Sequence, residues 1–205
     1  MKWAEAVAVL GGTSDAWPAL RARYGEPHRR YHTLDHAAAV VRDSAWLAGD
    51  LDETDRAVLA VAAWAHDVVY DANPGEDERA SAHWAREALT GVPETHQKRV
   101  EDLILTTIEH DAPPDDHLAT ALLDADLAVL GAQPDRYAAY ARAVREEYAK
   151  YTDEVWREGR IAVLEGMLAR RLYRSEAARA RWATAAEKNL TAELTHWRTD
   201  RDDHR

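Results

Sequence analysis

The stretch VLAVAAWAHDVVYD, from Val58 to Asp71, constrains the fold more than any other part of the chain. It is the most hydrophobic segment, and it carries His66 and Asp67 back to back. Val58, Val61, Ala62, Ala65 and Val69 recur at helical spacing, which predicts a helix opening at Asp52 to Thr54 and running through Val69. On that helix His66 lies below Leu59, Ala62 and Ala63, while Asp67 falls about 100° around, beside Ala60, Ala63 and Trp64. Neither has a wet face. An unpaired charge in such a place costs several kcal/mol, so the pair requires a partner that compensates it.

Helical periodicity governs the rest of the chain as well, and no alternating strand pattern stands out. The expected fold is all-α, a helical bundle forming a single domain over residues 1–205 with its core at about 29–194. Helices are predicted at Trp3–Leu10, from a Thr13/Ser14/Asp15 cap through Trp17, Leu20 and Tyr24, and from Leu34 to near Gly49. Beyond the loop DANPGEDE come Glu78–Leu89, Pro93–His110, His117 to about Leu130, Pro134–Tyr151, Asp153 to about Tyr173, and Glu176–Trp197. A frayed tail is expected at 198–205.

Composition narrows the chemistry. The chain has no cysteine, which excludes disulfides, cysteine zinc sites and thiol nucleophiles and leaves His, Asp and Glu as the strong metal ligands. A net charge of -11 argues against a nucleic-acid polymer or an anionic membrane as partner. No apolar run approaches the roughly 20 residues of a bilayer span, and the opening MKWAEAVAVLGGT lacks the form of a signal peptide, so a cytoplasmic location is expected.

His36 shares a helix stripe with Val40 and Leu47 and should face the core, with His32 one turn earlier. Asp124 and Asp126 interrupt a third apolar segment, TALLDADLAVLG; Asp124 has the simpler reading of a helix N-cap, and Asp126 does not. An inward histidine alone is ordinarily a hydrogen-bonded core residue. Two inward histidines and two inward aspartates on three helices would form a closed nitrogen and oxygen set for a divalent metal.

In this order, His, then His-Asp, then Asp, the chain resembles the HD-domain metal-dependent phosphohydrolases, a helical superfamily named for its His-Asp pair. The segments RRYHTLDH, WAHDVVYD, ERASA, LILTTIEH, LLDADLAVLG, YARAVREEY and EGRIAVLEGML are similar to patterns of a bacterial branch of predicted HD phosphohydrolases. The resemblance spans about Arg29 to Leu194. It implies His36, His66, Asp67 and Asp126 as metal ligands, Asp126 being preferred over Asp124 because the superfamily's last aspartate follows an alanine, here in ADL. It also implies one or two divalent ions (Mn, Fe, Co, Ni, Zn or Mg), with His32, His110 and Asp124 as candidates for a second metal or for supporting the first.

The implied activity is hydrolysis of a small phosphorylated molecule, such as a nucleotide, by metal-activated water. Asp67 would orient that water, and Asp71 or Glu78 would carry protons, although Asp71 also suits a helix end and Glu78 a helix start. Arg29, Arg30, Arg145 and Arg160 are the candidate phosphate contacts, with ordinary salt bridging as the competing role. Two other readings stand beside this one. An HD-type di-iron oxygenase would need further well-placed histidines, and a non-catalytic nucleotide-binding module would have no need of the full ligand set.

Overall fold

A helix that is apolar on every side has to be enclosed by others. The computed structural model, which describes residues 1–13 and 15–199, encloses the Val58 segment in this way. The helices are distributed between two compact units that divide between Asp126 and Leu127. The first contains α1 (Trp3–Val9), α2 (Trp17–Tyr24), α3 (Leu34–Ala48), α4 (Glu53–Ala65), α5 (Glu76–Ala88), α6 (Glu94–Leu105) and α7 (His117–Asp126). The second contains a 3-10 turn (Leu127–Gly131), α8 (Pro134–Glu147), α9 (Asp153–Ala169), α10 (Glu176–Ala178), a π-helical turn (Arg179–Ala183) and α11 (Thr184–Thr199). The described residues contain no strand, and the fold is all-α. None of the helices is long and apolar enough to cross a membrane among the described residues.

In the first unit α4 packs against α1, α3, α5, α6 and α7, and Ala57 to Ala63 are buried without a break. Asp52 caps its start by accepting a hydrogen bond from the Asp55 amide at 2.8 Å. Trp17 stacks edge-on against Trp64, and Trp3 lies tilted on Trp84, so large rings fill the spaces beside a helix rich in alanine.

The helix ends earlier than its periodicity predicts. It stops at Ala65, with His66 as its C-cap and residues 67–71 in an irregular connection to α5. No glycine or proline breaks it; side chains from elsewhere take the carbonyls that a longer helix would use. The Tyr24 hydroxyl donates to Trp64 O at 3.0 Å, and Arg29 donates to Asp67 O and Val68 O. Ser81 on α5 receives the Val69 amide at 3.0 Å, and the buried carboxylate of Asp77 receives the amides of Asp71 and Asn73. Gly75, at φ +84°, then turns the chain into α5.

Other boundaries differ for similar local reasons. α6 stops at Leu105 rather than His110, because the hydroxyls of Thr106 and Thr107 bond back to Leu103 O and Ile104 O, each at 2.6 Å. Asp124 lies inside α7 and is fully buried, so it is not an N-cap. α5 begins two residues before Glu78, while α8 and α9 end at Glu147 and Ala169, short of Tyr151 and Tyr173. α2 starts at Trp17 with Ala16 at its N-cap and no side-chain cap, rather than at the Thr13/Ser14/Asp15 cap, of which Ser14 lies outside the described residues. Of the tail expected at 198–205, residues 198 and 199 still belong to α11, and 200–205 lie outside the described residues.

In the second unit Asn189 on α11 donates to Leu130 O at 2.8 Å and Ala132 O at 2.9 Å, and the Tyr173 hydroxyl donates to Leu127 O. Gly131 is required where it stands, since a Cβ there would overlap Trp182.

Candidate metal centre

The first unit brings four ionisable side chains from three helices to one point. His36 comes from the first turn of α3, His66 and Asp67 from the end of α4, and Asp126 from the last residue of α7. The early stop of α4 is what allows this. On a continued helix His66 and Asp67 would diverge by about 100°, whereas at the C-cap their donor atoms lie 3.1 Å apart.

His36 Nε2 lies 3.2 Å from His66 Nε2, 3.3 Å from Asp67 Oδ2 and 3.1 Å from Asp126 Oδ1. His66 Nε2 lies 3.3 Å from Asp126 Oδ1, and one donor atom from each residue lies within 4.8 Å of the rest. Metal bonds of about 2.1 Å set adjacent donors roughly 3.0 to 3.4 Å apart in octahedral or tetrahedral arrangements. The observed separations of 3.1 to 3.3 Å fit that spacing.

Hydrogen bonding selects the right tautomer. His66 Nδ1 lies 2.9 Å from Ala63 O, a carbonyl that can only accept, so Nδ1 carries the proton of the neutral imidazole and Nε2 is the nitrogen left to face the cluster. His36 and His66 are buried, at 7% and 1% exposure, so water cannot readily separate the converging groups.

The electrostatics couple the four groups to one another. Burial alone would lower the His66 pKa, but the Asp67 and Asp126 carboxylates outweigh it and hold the imidazole well above its usual value. His36 is raised for the same reasons, burial opposing and the hydrogen bonds to Asp126 and Asp67 prevailing. Burial would raise Asp67 and Asp126, yet the neighbouring imidazoles keep both well below the ordinary carboxylate range. Two carboxylates held ionised therefore draw positive charge into the cluster, and a divalent cation satisfies all four donors at once.

The other candidate residues have distinct placements. His110, at φ +48°, directs Nε2 to the second oxygen of Asp126 at 3.0 Å, on the side of the carboxylate away from His36 and His66. His32 stacks on the Tyr70 ring with centroids 3.9 Å apart and lies 5.6 Å from the His36 ring. Asp124 is enclosed in α7 and is not among the four converging residues. Asp71 is exposed, 3.9 Å from His28 Nε2. Glu78 accepts the Gly75 amide and closes the start of α5.

The arginines are directed mainly at protein groups. Arg30 donates to Pro27 O and Arg29 O, and Arg29 to backbone carbonyls around the cluster. In the second unit Arg145 donates to Tyr148 O and Tyr151 O and pairs with Asp153, while Arg160 is buried against Glu193. The supporting residues Tyr24, Asp77 and Ser81 escape sequence reasoning. Ser81 shares an α5 stripe with Ala82, Ala85 and Leu89, and a polar residue repeated four positions earlier, Asp77, is the only trace of their common task.

Comparison with known proteins agrees with this geometry. The HD domain family model matches residues 33–153, a span that contains all four converging residues. No curated protein and no solved structure matches the chain.

Proposed function

The chain belongs to the HD domain family, and on that premise we propose that it is a metal-dependent hydrolase of a small phosphorylated molecule, a nucleotide being one suitable substrate. The convergence of His36, His66, Asp67 and Asp126 at metal-ligand spacing carries this reading. What a divalent ion (Mn, Fe, Co, Ni, Zn or Mg) supplies when bound is acidity to a coordinated water and polarisation to a phosphoryl oxygen.

The chain's own groups divide the remaining work. His36 and His66 provide neutral nitrogen donors, the second of them fixed by Ala63 O. Asp67 and Asp126 provide charge, and one Asp67 oxygen within reach of the centre suits it to orient the attacking water. His110 steadies the other Asp126 oxygen and would be a candidate ligand if a second ion were held. Of the two candidate proton carriers, the exposed Asp71 would take the role, because Glu78 is committed to the α5 start. The acidic net charge favours a small ligand over a nucleic-acid polymer.

The test is phosphate release from a panel of nucleotides and sugar phosphates. A chelator should abolish it and added metal should restore it. His66→Ala and Asp67→Asn should each abolish it while leaving the helical circular dichroism of the wild type. Turnover that survives both the chelator and the substitutions would rule the reading out.

A further inference from the structure

The connection after α4 carries Asp67 but has no regular backbone ladder of its own, so its position depends on side chains that reach in from outside. One of these is Arg29, whose side chain has no exposed surface. Its NH1 donates to Asp67 O at 2.7 Å and to His32 O at 2.9 Å, and its NH2 donates to Val68 O at 2.9 Å. Glu26 Oε2, 3.4 Å from Nε, balances the charge, and the guanidinium carbon sits 5.0 Å from the Tyr24 ring and 5.8 Å from the Tyr70 ring.

These contacts join two pieces of chain. The His32 carbonyl belongs to the segment that leads into α3, four positions before His36. The Asp67 carbonyl belongs to a donor residue itself. A single planar fork therefore sets the spacing between the segment that presents His36 and the segment that presents Asp67. The neighbouring Arg30 is exposed and donates to the carbonyls of Pro27 and Arg29.

We propose that Arg29 is a positioning residue of the metal centre, holding Asp67 and His36 at ligand spacing without touching metal or substrate. This rests on the reading that the four-residue cluster holds a divalent cation. The role needs arginine rather than lysine. An ammonium is a compact point donor, whereas the rigid guanidinium reaches three carbonyls on two segments at fixed angles. Shortening that fork leaves the Val68 carbonyl unpaired, with Val68 fully buried, and the connection must shift to recover a partner.

The experiment titrates purified protein with cobalt(II) and reads its visible absorption, which reports both affinity and coordination geometry. Arg29→Lys is compared with Leu89→Ala, which removes a wholly buried side chain at the far end of α5 and so serves as a purely structural control. Arg29→Lys should lower cobalt affinity by about 10- to 100-fold, the range for residues that orient metal ligands. Leu89→Ala should lower the unfolding temperature and leave the affinity unchanged. Wild-type affinity in Arg29→Lys, or an equal loss in Leu89→Ala, overturns the proposal. If the wild type takes up no cobalt, the hydrolase reading falls, and the positioning of the Asp67 connection by Arg29 is decided in the metal-free chain by hydrogen exchange. Faster exchange of residues 66–71 in Arg29→Lys than in Leu89→Ala supports it, and no difference overturns it.

Discussion

Two buried clusters of charge in the protein are balanced in different ways. In the second unit the Glu193 carboxylate accepts hydrogen bonds from Arg160 Nε at 2.7 Å, Arg160 NH2 at 2.9 Å, the Tyr137 hydroxyl at 2.5 Å and Trp197 Nε1 at 3.1 Å. Opposite charges meet, and donors fill the acceptor sites. In the first unit two carboxylates and two imidazole nitrogens face a common centre, and no lysine or arginine pairs with Asp67 or Asp126 among the described residues. Only titratable imidazoles balance the carboxylates there. A buried charge matched by a permanent opposite charge is architecture, while one matched by groups that can give up their protons to an incoming cation points to function.

The largest expected effect tests the cluster of Arg160 and Glu193. Arg160→Met strands a carboxylate with only 9% side-chain exposure, and breaking a buried pair from one side should cost about 3 to 5 kcal/mol in denaturant unfolding. Adding Glu193→Leu should recover most of that loss, because the stranded charge disappears with it. Asp67→Asn in metal-free protein should cost less, because the imidazoles that balance Asp67 can release their protons once its charge is gone, whereas Arg160 cannot. A loss in Asp67→Asn as large as that in Arg160→Met would erase the distinction.

The next effect sharpens it from the metal side. A divalent ion at 100 times its dissociation constant should stabilise the wild type by about 2.7 kcal/mol, read as a rise in unfolding temperature. Arg160→Met should keep this increment although it starts from lower stability, and Asp67→Asn should lose it. An ion that stabilises wild type and Asp67→Asn equally would be binding somewhere other than the cluster.

How much of this was legible in the sequence follows from the same contrast. The all-α fold and most helix starts could be read because they depend on local pattern and capping, as at Asp52 and Thr152. The cluster could be read as an anomaly, four ionisable groups in apolar segments, and the resemblance to HD phosphohydrolases supplied its order. The end of α4 could not be read, since Tyr24 and Arg29, some 40 residues earlier, accept the task of stopping it. The arginines were ambiguous for a related reason. Arg145 and Arg160 have acidic neighbours in sequence, yet Glu193, the partner that buries Arg160, lies 33 residues away on another helix.

The smallest expected effect concerns a single donor to Glu193. Tyr137→Phe removes one hydrogen bond but leaves Arg160 and Trp197 in place, so at neutral pH it should cost only about 1 kcal/mol. Its pH dependence has a definite sign. Burial raises the Glu193 carboxyl, but the bonds from Arg160 and Tyr137 outweigh burial and hold it below its ordinary value of 4.5. A group lowered in the folded state contributes stability that is full above 4.5 and is lost as the pH falls through the lower, folded value, where the carboxylate takes up its proton. The gap between wild type and Tyr137→Phe should therefore be widest near neutrality and should narrow on acidification below 4.5, as measured by denaturant unfolding across that range. A gap that held constant into acid would mean that Tyr137 contributes by packing against Tyr140 rather than by stabilising the carboxylate.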